Sequence, residues 1–163
     1  MSSHDPLFRV LFVCTGNTCR SPMAAGALRQ ALGAMSERIA VESAGTAAWD
    51  GQPATDPSLD VAARAGVDLS GHRSRRVTPA ALRSADLVLV MERVHLPAVR
   101  GLGADAGRTH VLSEWPEPGE PALQISDPFG GSLEAYEECW RRIVHHIARV
   151  TPHILEASRA RSA

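Results

Sequence analysis

The chain has 163 residues, of which 44% are hydrophobic, and this is enough for one domain with a real core. A formal net charge of −1 argues against a protein that binds nucleic acid or a membrane surface. All 17 basic residues are arginine, which excludes a Walker-type phosphate loop and a lysine Schiff base, because both need the lysine amine.

Targeting signals are not evident in the sequence. Residues 1–7 carry no basic stretch followed by a long apolar segment, and no apolar run reaches the ~18 residues of a membrane helix. The three cysteines form no CxxC pair, which favours a reducing compartment over a disulfide scaffold or a zinc site. We therefore expect a cytoplasmic protein without a metal or a cofactor. The adjacent histidines, His145 and His146, are predicted at the surface.

Strands and helices alternate along the chain, with no internal repeat, low-complexity tract or linker. Apolar runs predict strands over residues 8–13, 39–43, 86–91 and 109–112. Helices are predicted over residues 22–33, 56–65, 78–84 and 92–102, with Asp56 and Thr78 as N-caps before prolines. A proline-rich loop over residues 115–125 precedes a long helix that Ser132 caps and that Pro152 kinks or ends.

This alternation predicts the α/β fold class, with a parallel sheet flanked by helices on both faces. Residues 1–163 are expected to form a single domain with a four-stranded sheet. Ligands of such sheets bind outside the carboxyl ends of the strands. The loop after the first strand therefore falls where a ligand is expected.

That loop carries the clearest chemical signal in the chain. A thiol, Cys14, leaves the strand, a short polar loop follows, and Arg20 opens a helix. Backbone N–H groups and a helix N-terminus favour an anion and lower the pKa of a thiol, and arginine can hold two oxyanion oxygens. The segment therefore predicts a phosphate-binding loop after strand 1, formed by Thr15, Gly16, Asn17, Thr18, Cys19, Arg20 and Ser21.

A Cys-x5-Arg pattern alone is weak evidence, because short motifs also arise by chance. A lone cysteine after an apolar strand is by default a small buried side chain. The context favours function here: a strand precedes the loop, Gly16 and Asn17 supply a turn, and Pro22 suits a first helical turn.

Several segments together resemble the low-molecular-weight protein tyrosine phosphatase family, and the resemblance covers nearly the whole chain. The two specific motifs are CTGNTCRSP at residues 14–22 and SDPFGG at residues 126–131. Supportive segments are ESAGT at 42–46, SGHRS at 70–74 and ADLVLVM at 85–91. The resemblance also implies a four-stranded parallel sheet, in agreement with the strand count.

The family's chemistry assigns three catalytic roles. The resemblance implies that Cys14 attacks phosphorus and forms a phosphocysteine, and that Arg20 holds the phosphate oxygens. Residue Asp127, followed by Pro128, would on its own be interpreted as a turn. The family places its general acid in this Asp-Pro pair, so we predict that Asp127 protonates the leaving group. Phosphorylated proteins are then the expected partners, and inorganic phosphate is the product.

Further residues match supporting positions of the family. Ser21 is expected to donate a hydrogen bond to the thiolate, and Asn17 to adopt a left-handed conformation that shapes the loop. Ser43 and His72 match positions that hold Asn17 in a network, although an ordinary loop histidine is an equal alternative for His72.

The cysteines divide into two groups. In the family, a neighbour at the position of Cys19 forms a reversible disulfide that protects the nucleophile, so Cys14 and Cys19 are a predicted redox pair. Cys139 lies on the last predicted helix and is expected in the core.

The substrate pocket is predicted from Thr18, Trp49 and Phe129. Tyrosine-specific members usually carry Ile or Leu at the position of Thr18, whereas the protein-arginine phosphatase branch carries Thr. A hydroxyl suits a planar guanidinium, and Phe129-Gly130-Gly131 also looks like the arginine branch. Trp49 can stack on phenyl or guanidinium alike, or anchor its loop. The sequence therefore favours phosphoarginine, with phosphotyrosine as the alternative.

Two other functions remain open. Arsenate reductase shares this loop but needs further cysteines for disulfide transfer; residues 86–101 contain none, and Cys139 lacks a partner in the sequence. A non-catalytic phosphoprotein-binding module would keep Arg20 without needing both Cys14 and Asp127. The sequence leaves the oligomeric state open.

Overall fold

The structure is a computed structural model and describes residues 7–118 and 124–162. Part of the predicted loop, residues 119–123, lies outside the described residues. The strands are β1 Phe8–Cys14, β2 Ile39–Gly45, β3 Leu87–Val90 and β4 Thr109–Val111. The α-helices are α1 Arg20–Leu32, α2 Asp56–Arg64, α3 Pro79–Ser84, α4 Leu96–Gly101 and α5 Leu133–Ser162. Short 3-10 turns cover Gly33–Glu37, Arg93–His95 and Leu112–Glu114.

The four strands form one sheet in the order β2-β1-β3-β4, and every pairing is parallel. Val10 of β1 lies opposite Val41 of β2 and Leu87 of β3, and Cys14 lies opposite Gly45. β1 is therefore central and buried on both sides, as its continuous apolar run requires. This confirms the predicted four-stranded parallel sheet.

Alternate residues of β1 point to two separate cores. Phe8, Val10 and Phe12 pack in the larger core with side chains of α1, α2 and α5. Leu11 and Val13 pack in the smaller core beneath α3 and α4. Because successive strand residues point to opposite faces, helices cover both sides of the sheet, as predicted.

Helix starts differ from the prediction in three places. α1 begins at Arg20, two residues before the predicted start, because the loop runs directly into the first turn. The N-cap of α2 is Thr55, so Asp56 is the first helical residue. The segment after β3 enters α4 through the turn Arg93–His95, because Pro97 suits only the first turn of the α-helix. The caps at Thr78 and Ser132 are confirmed, each accepting a backbone N–H three residues on.

The last helix overrides two expectations. It continues through Pro152 to Ser162, because Val150 and Ile154 on either side are fully buried against the core. His146 is buried as well, so its predicted surface position was wrong. Its side chain lies on the same helical face as Ile143 and Val150, three residues before it and four after it. Among the described helices, none combines the length and the apolar character needed to cross a bilayer.

Candidate active site

The segment between β1 and α1 forms a tight loop at the carboxyl edge of the sheet. Asn17 has φ of 57°, and among the described residues it is the one non-glycine with a left-handed backbone, as predicted. Backbone N–H groups of Thr46 and Ala47 hold the loop through the carbonyls of Cys14 and Thr15, each at 2.9 Å. A side chain at Gly45 would collide with this backbone, so glycine is required where β2 passes the loop.

The Cys14 thiol is buried at the start of this loop, with 2% exposure. The Ser21 hydroxyl lies 2.9 Å from the sulfur, and the Asn17 backbone N–H donates to it at 3.3 Å. Burial raises the pKa of Cys14, while Ser21, the charge of Arg20 and the Asn17 N–H oppose this rise. The expectation of a lowered pKa is therefore wrong in net direction, because desolvation outweighs the loop's donors.

The side chain of Asn17 ties the loop to its surroundings. Its Nδ2 donates to the hydroxyls of Ser21 at 2.8 Å and Ser43 at 3.0 Å. Its Oδ1 accepts the backbone N–H of Arg75 at 2.9 Å, and its carbonyl lies 2.6 Å from His72 Nε2. The structure thus brings Asn17, Ser43 and His72 into contact. Such a fully satisfied buried network fixes one loop conformation.

Arg20 reaches the same pocket from the first turn of α1, and its side chain is 2% exposed. Its guanidinium pairs with Glu92 and donates to the Ile125 carbonyl at 3.1 Å. Its other terminal nitrogen lies 3.6 Å from Asp127 Oδ2. Two carboxylates therefore compensate a buried cation. Glu92 was missed by sequence reasoning, although it follows the carboxyl end of β3, where ligand sites occur.

A buried histidine that sequence reasoning also missed joins Glu92 to the loop. His95 Nε2 lies 2.9 Å from the Thr15 hydroxyl, and Nδ1 accepts the Glu92 backbone N–H at 3.0 Å. Because Nδ1 accepts, Nε2 carries the proton in the neutral ring and donates to Thr15. Burial and the charge of Arg20 lower the pKa of His95, although Glu92 and Asp127 oppose this. The signal for it is the Glu-x-x-His spacing of a capping box.

Asp127 stands at the edge of the pocket, and its side chain is 46% exposed. One oxygen faces Arg20, and the other accepts the Phe129 backbone N–H at 3.1 Å. Asp127 can therefore form a turn and also serve as the proposed acid, because the hydrogen bond of the turn holds its carboxyl group beside Arg20.

Two adjoining cavities meet beside the loop. The first, of about 200 Å³, is lined by Cys14, Thr15, Gly16, Thr18, Cys19, Arg20, Asp127 and Phe129. The other cavity, which we call the outer groove, is wider, shares Thr18 and Phe129 with the first and includes Trp49. Trp49 is 82% exposed, so it is not a half-buried loop anchor. Of the three predicted pocket residues, Thr18 and Phe129 line both cavities, whereas Trp49 lines only the outer groove.

All three cysteines are free thiols and buried. Cys19 Sγ lies 3.4 Å from the Tyr136 hydroxyl and 3.6 Å from the Thr55 hydroxyl. Burial, followed by the contact with Cys19, raises the pKa of Tyr136 to about 12. Cys139 is a core residue as predicted, and burial raises its pKa to about 12, so it offers no reactive thiol for disulfide transfer.

Fold and site define an α/β protein with an anion-binding loop that holds a cysteine thiol against a buried arginine. The sequence pattern of the family described as "Low molecular weight phosphotyrosine protein phosphatase" matches residues 9–159. The chain belongs to this family, and it is a protein phosphatase.

Named relatives are tyrosine and arginine phosphatases. The low molecular weight protein-tyrosine-phosphatase Etp of Escherichia coli K12 is 37% identical over 80% of this chain and 84% of its own length. The tyrosine phosphatase Wzb of E. coli K30, solved with sulphate, has a TM-score of 0.80 and 32% identity, covering 91% of this chain and 99% of its own. The YwlE arginine phosphatase of Geobacillus stearothermophilus has a TM-score of 0.80 and 32% identity, covering 91% and 94%.

Proposed function

We propose that this protein hydrolyses phosphorylated protein side chains through a phosphocysteine intermediate, with Cys14, Arg20 and Asp127 as its catalytic residues. The observation that carries the proposal is that all three line a single cavity of about 200 Å³. The sulphate in the related Wzb structure is consistent with an anion-binding loop of this kind.

In the first step, Cys14 Sγ, having lost its proton to water, attacks phosphorus as the thiolate, and the S–P bond forms while the bond to the leaving oxygen or nitrogen breaks. Arg20, held by Glu92, supplies a fixed cation for the phosphate oxygens. Ser21 and the Asn17 N–H stabilise the thiolate by donation. Asp127 gives its proton to the leaving atom, so that a phenol departs as the neutral alcohol and an arginine side chain departs as the guanidinium cation.

In the second step, the Asp127 carboxylate takes a proton from water as the water oxygen attacks phosphorus. The S–P bond breaks, inorganic phosphate leaves, and Cys14 returns as the thiolate. The proton that Asp127 lost is thereby restored. The position of Asp127 at the half-exposed edge of the pocket suits this exchange, because water can reach it.

We further propose phosphoarginine as the preferred substrate. Thr18 lines the pocket, and within the described residues its hydroxyl makes one weak contact, to Cys19 Sγ at 3.9 Å. A guanidinium offers N–H donors to this hydroxyl and to the carbonyl oxygen of the protonated Asp127 carboxyl group, whose O–H remains available for the leaving nitrogen. The similarity to the YwlE arginine phosphatase supports the same assignment.

Phosphotyrosine is the second candidate. Phe129 is 70% exposed beside the pocket and Trp49 stands in the adjoining groove, so aromatic surface is available for a phenyl ring. Etp and Wzb, both named tyrosine phosphatases, also point to tyrosine.

The test compares initial rates on matched phosphoarginine and phosphotyrosine peptides, with Cys14→Ser as the blank. Faster turnover of phosphoarginine is expected. Faster turnover of phosphotyrosine would keep the mechanism and overturn the substrate assignment. Turnover that persists in the blank would mean that Cys14 is not the nucleophile.

A matched pair of variants isolates the Thr18 hydroxyl. Thr18→Val removes the hydroxyl at nearly constant volume, and Thr18→Ile adds a methylene. Both are expected to lower the ratio of kcat/KM for phosphoarginine to that for phosphotyrosine by about tenfold, the cost of one lost hydrogen bond to a charged group. An unchanged ratio in Thr18→Val would exclude the hydroxyl as the discriminating group.

A further inference from the structure

A pocket distinct from the two cavities described above has a volume of about 420 Å³ and adjoins the network that holds Asn17. We call it the second pocket. Ser43 and His72 line this pocket, and both contact Asn17 directly. Among the residues that bound this second pocket, Pro22, Val41 and Leu69 supply an apolar part of the wall. The pocket is separate from the catalytic cavity, because the two share no lining residue.

Three arginines line the second pocket: Arg29, Arg73 and Arg75. Arg75 pairs with Glu42 at 3.2 Å, and Glu42 also pairs with Arg9. Within the described residues, Arg29 and Arg73 have no carboxylate within ion-pairing distance. The pocket therefore holds more positive charge than its own acidic residues neutralise.

The two unpaired guanidiniums are nevertheless oriented by the backbone. Arg29 donates to the Val41 carbonyl at 2.5 Å, and Arg73 donates to the His72 carbonyl at 2.7 Å. Each of these contacts uses one terminal nitrogen, which leaves further N–H donors on both groups. Oriented guanidiniums with spare donors are suited to bind phosphate oxygens.

The positive charges act together on the ring of His72. Burial lowers the pKa of His72, and the charges of Arg29, Arg73 and Arg75 lower it further, whereas the hydrogen bond to Asn17 opposes this. The acidic groups that line the same pocket are Glu42 and Asp68. An anion placed among these groups would relieve the repulsion between the cations.

We propose that the second pocket binds a small phosphate-bearing molecule, and that its occupancy acts on the catalytic loop through Ser43 and His72. The cavity is larger than one phosphate group needs, so a polyphosphate or a phosphate ester of a small organic molecule fits its chemistry. A phosphate group is favoured over the carboxylates of an acidic protein segment, because it offers three acceptor oxygens to the spare donors of Arg29 and Arg73.

The coupling follows from the contacts already described. An anion beside His72 favours the protonated ring, which donates a stronger, charge-assisted hydrogen bond to the Asn17 carbonyl. Asn17 in turn donates its backbone N–H to Cys14 Sγ. A ligand in the second pocket thus acts on the nucleophile through two intervening residues, His72 and Asn17. This proposal does not depend on which phosphorylated side chain the enzyme hydrolyses.

Inorganic pyrophosphate is a suitable probe, with the histidine ring signals of the labelled full-length protein followed by NMR. We expect a saturable shift of the His72 signals and a rise in the pKa of His72 on addition of pyrophosphate. The catalytic loop can also bind this anion, so the decisive comparison uses variants. In the double variant Arg29→Gln/Arg73→Gln, the affinity reported by His72 is expected to fall at least about tenfold.

The matched control is the double variant Arg83→Gln/Arg100→Gln, which removes two exposed cations outside the second pocket. It is expected to keep the response of His72, and thermal unfolding checks that both double variants are folded. An equal response in both double variants would assign the binding to the catalytic loop and overturn the proposal. A response to a polyglutamate peptide but not to pyrophosphate would replace the ligand with an acidic partner and also overturn it.

A kinetic measurement tests the coupling. With a small aryl phosphate as substrate, pyrophosphate bound in the second pocket is expected to change kcat, whereas pyrophosphate bound at the catalytic loop raises only the apparent KM. The kcat effect should disappear in Arg29→Gln/Arg73→Gln and persist in the control. Purely competitive behaviour would overturn the coupling. The NMR response needs no turnover, so it is read independently of the proposed phosphatase mechanism.

Discussion

The residues around the Cys14 thiol are buried and joined by hydrogen bonds, whereas the aromatic side chains beside the pocket are exposed. Asn17, Arg20 and Ser21 are each at most 2% exposed, and every one of them has side-chain partners. Trp49 and Phe129, at 82% and 70%, stand largely in solvent. We call the buried residues around Cys14 the floor of the site, and the exposed side chains of Trp49 and Phe129 its mouth. The two parts of one site are therefore constructed in different ways.

This difference separates two tasks. In the floor, low exposure strengthens each electrostatic contact, and the hydrogen-bond network holds the thiol and the arginine in a single arrangement. At the mouth, exposed side chains can adapt to a bound protein with little effect on the reacting atoms. Substitutions in the floor should therefore lower kcat with every substrate, and substitutions at the mouth should change mainly KM.

Among variants that keep the nucleophile, the largest effect is expected for Asp127→Asn, because Asp127 lies between the two regions. The amide cannot donate an acidic proton, so kcat should fall by about 10²- to 10⁴-fold. Initial rates should be compared for a substrate with a poor leaving group and for an aryl phosphate with a good one. The loss must be smaller for the good leaving group, which needs less protonation. Equal losses would contradict the role of Asp127 as a general acid.

A smaller effect is expected for Ser21→Ala in the floor. Ser21 lowers the pKa of Cys14 against the effect of burial, so its removal should raise that pKa further. The acidic limb of the profile of kcat/KM against pH should then move to higher pH. At pH values below this limb, kcat/KM should fall about tenfold relative to the wild type, because one charge-assisted hydrogen bond is lost. Ser58→Ala, a buried serine outside the site, is the control. An unshifted acidic limb would contradict stabilisation of the thiolate by Ser21.

His95→Ala should have a more moderate effect on rate, because His95 acts through Thr15 and Glu92. Two partly buried hydrogen bonds are lost, which should cost about 1–3 kcal/mol of stability. His95→Gln offers both a donor and an acceptor and should recover part of this loss. If the glutamine variant behaves like the alanine variant while both remain folded, the two hydrogen bonds are not what His95 contributes.

The same variants test a dependence on pH. Because the pKa of His95 is lowered in the fold, its contribution to stability is complete above the ordinary value near 6.5 and is lost as pH falls below it. Unfolding measured between neutral and mildly acidic pH should therefore be less sensitive to pH in His95→Gln than in the wild type. His72 also has a lowered pKa, so part of the acid sensitivity should remain in the variant.

The comparison of floor and mouth also explains what the sequence could predict. Short-range patterns were sufficient for the sheet, for the loop between β1 and α1, and for the left-handed Asn17, because apolar runs and turn residues act locally. Glu92 and His95 escaped prediction because they are 72 and 80 residues from their partners, Arg20 and Thr15. Only the fold brings such residues together.

Burial was the second quantity that the sequence did not reveal. The loop's donors predicted a lowered pKa for Cys14, but the desolvation that outweighs them depends on the packing of α1 and the sheet over the thiol. His146 was assigned to the surface for the same reason, since its burial follows from the docking of α5. The sequence around Trp49, by contrast, has no pattern from which the exposure of its side chain could be predicted.

The smallest effect is expected at the mouth, for Trp49→Ala. Trp49 lines the outer groove but not the cavity around Cys14, so kcat and KM for a small aryl phosphate should stay within about twofold, as for surface substitutions away from buried contacts. For a phosphorylated peptide, loss of the indole surface should raise KM several-fold without changing kcat. Phe129→Ala is the matched comparison, because Phe129 borders both cavities and should affect both substrates. If Trp49→Ala lowered kcat for the small substrate, the floor and the mouth would be coupled, and the division of tasks between them would fail.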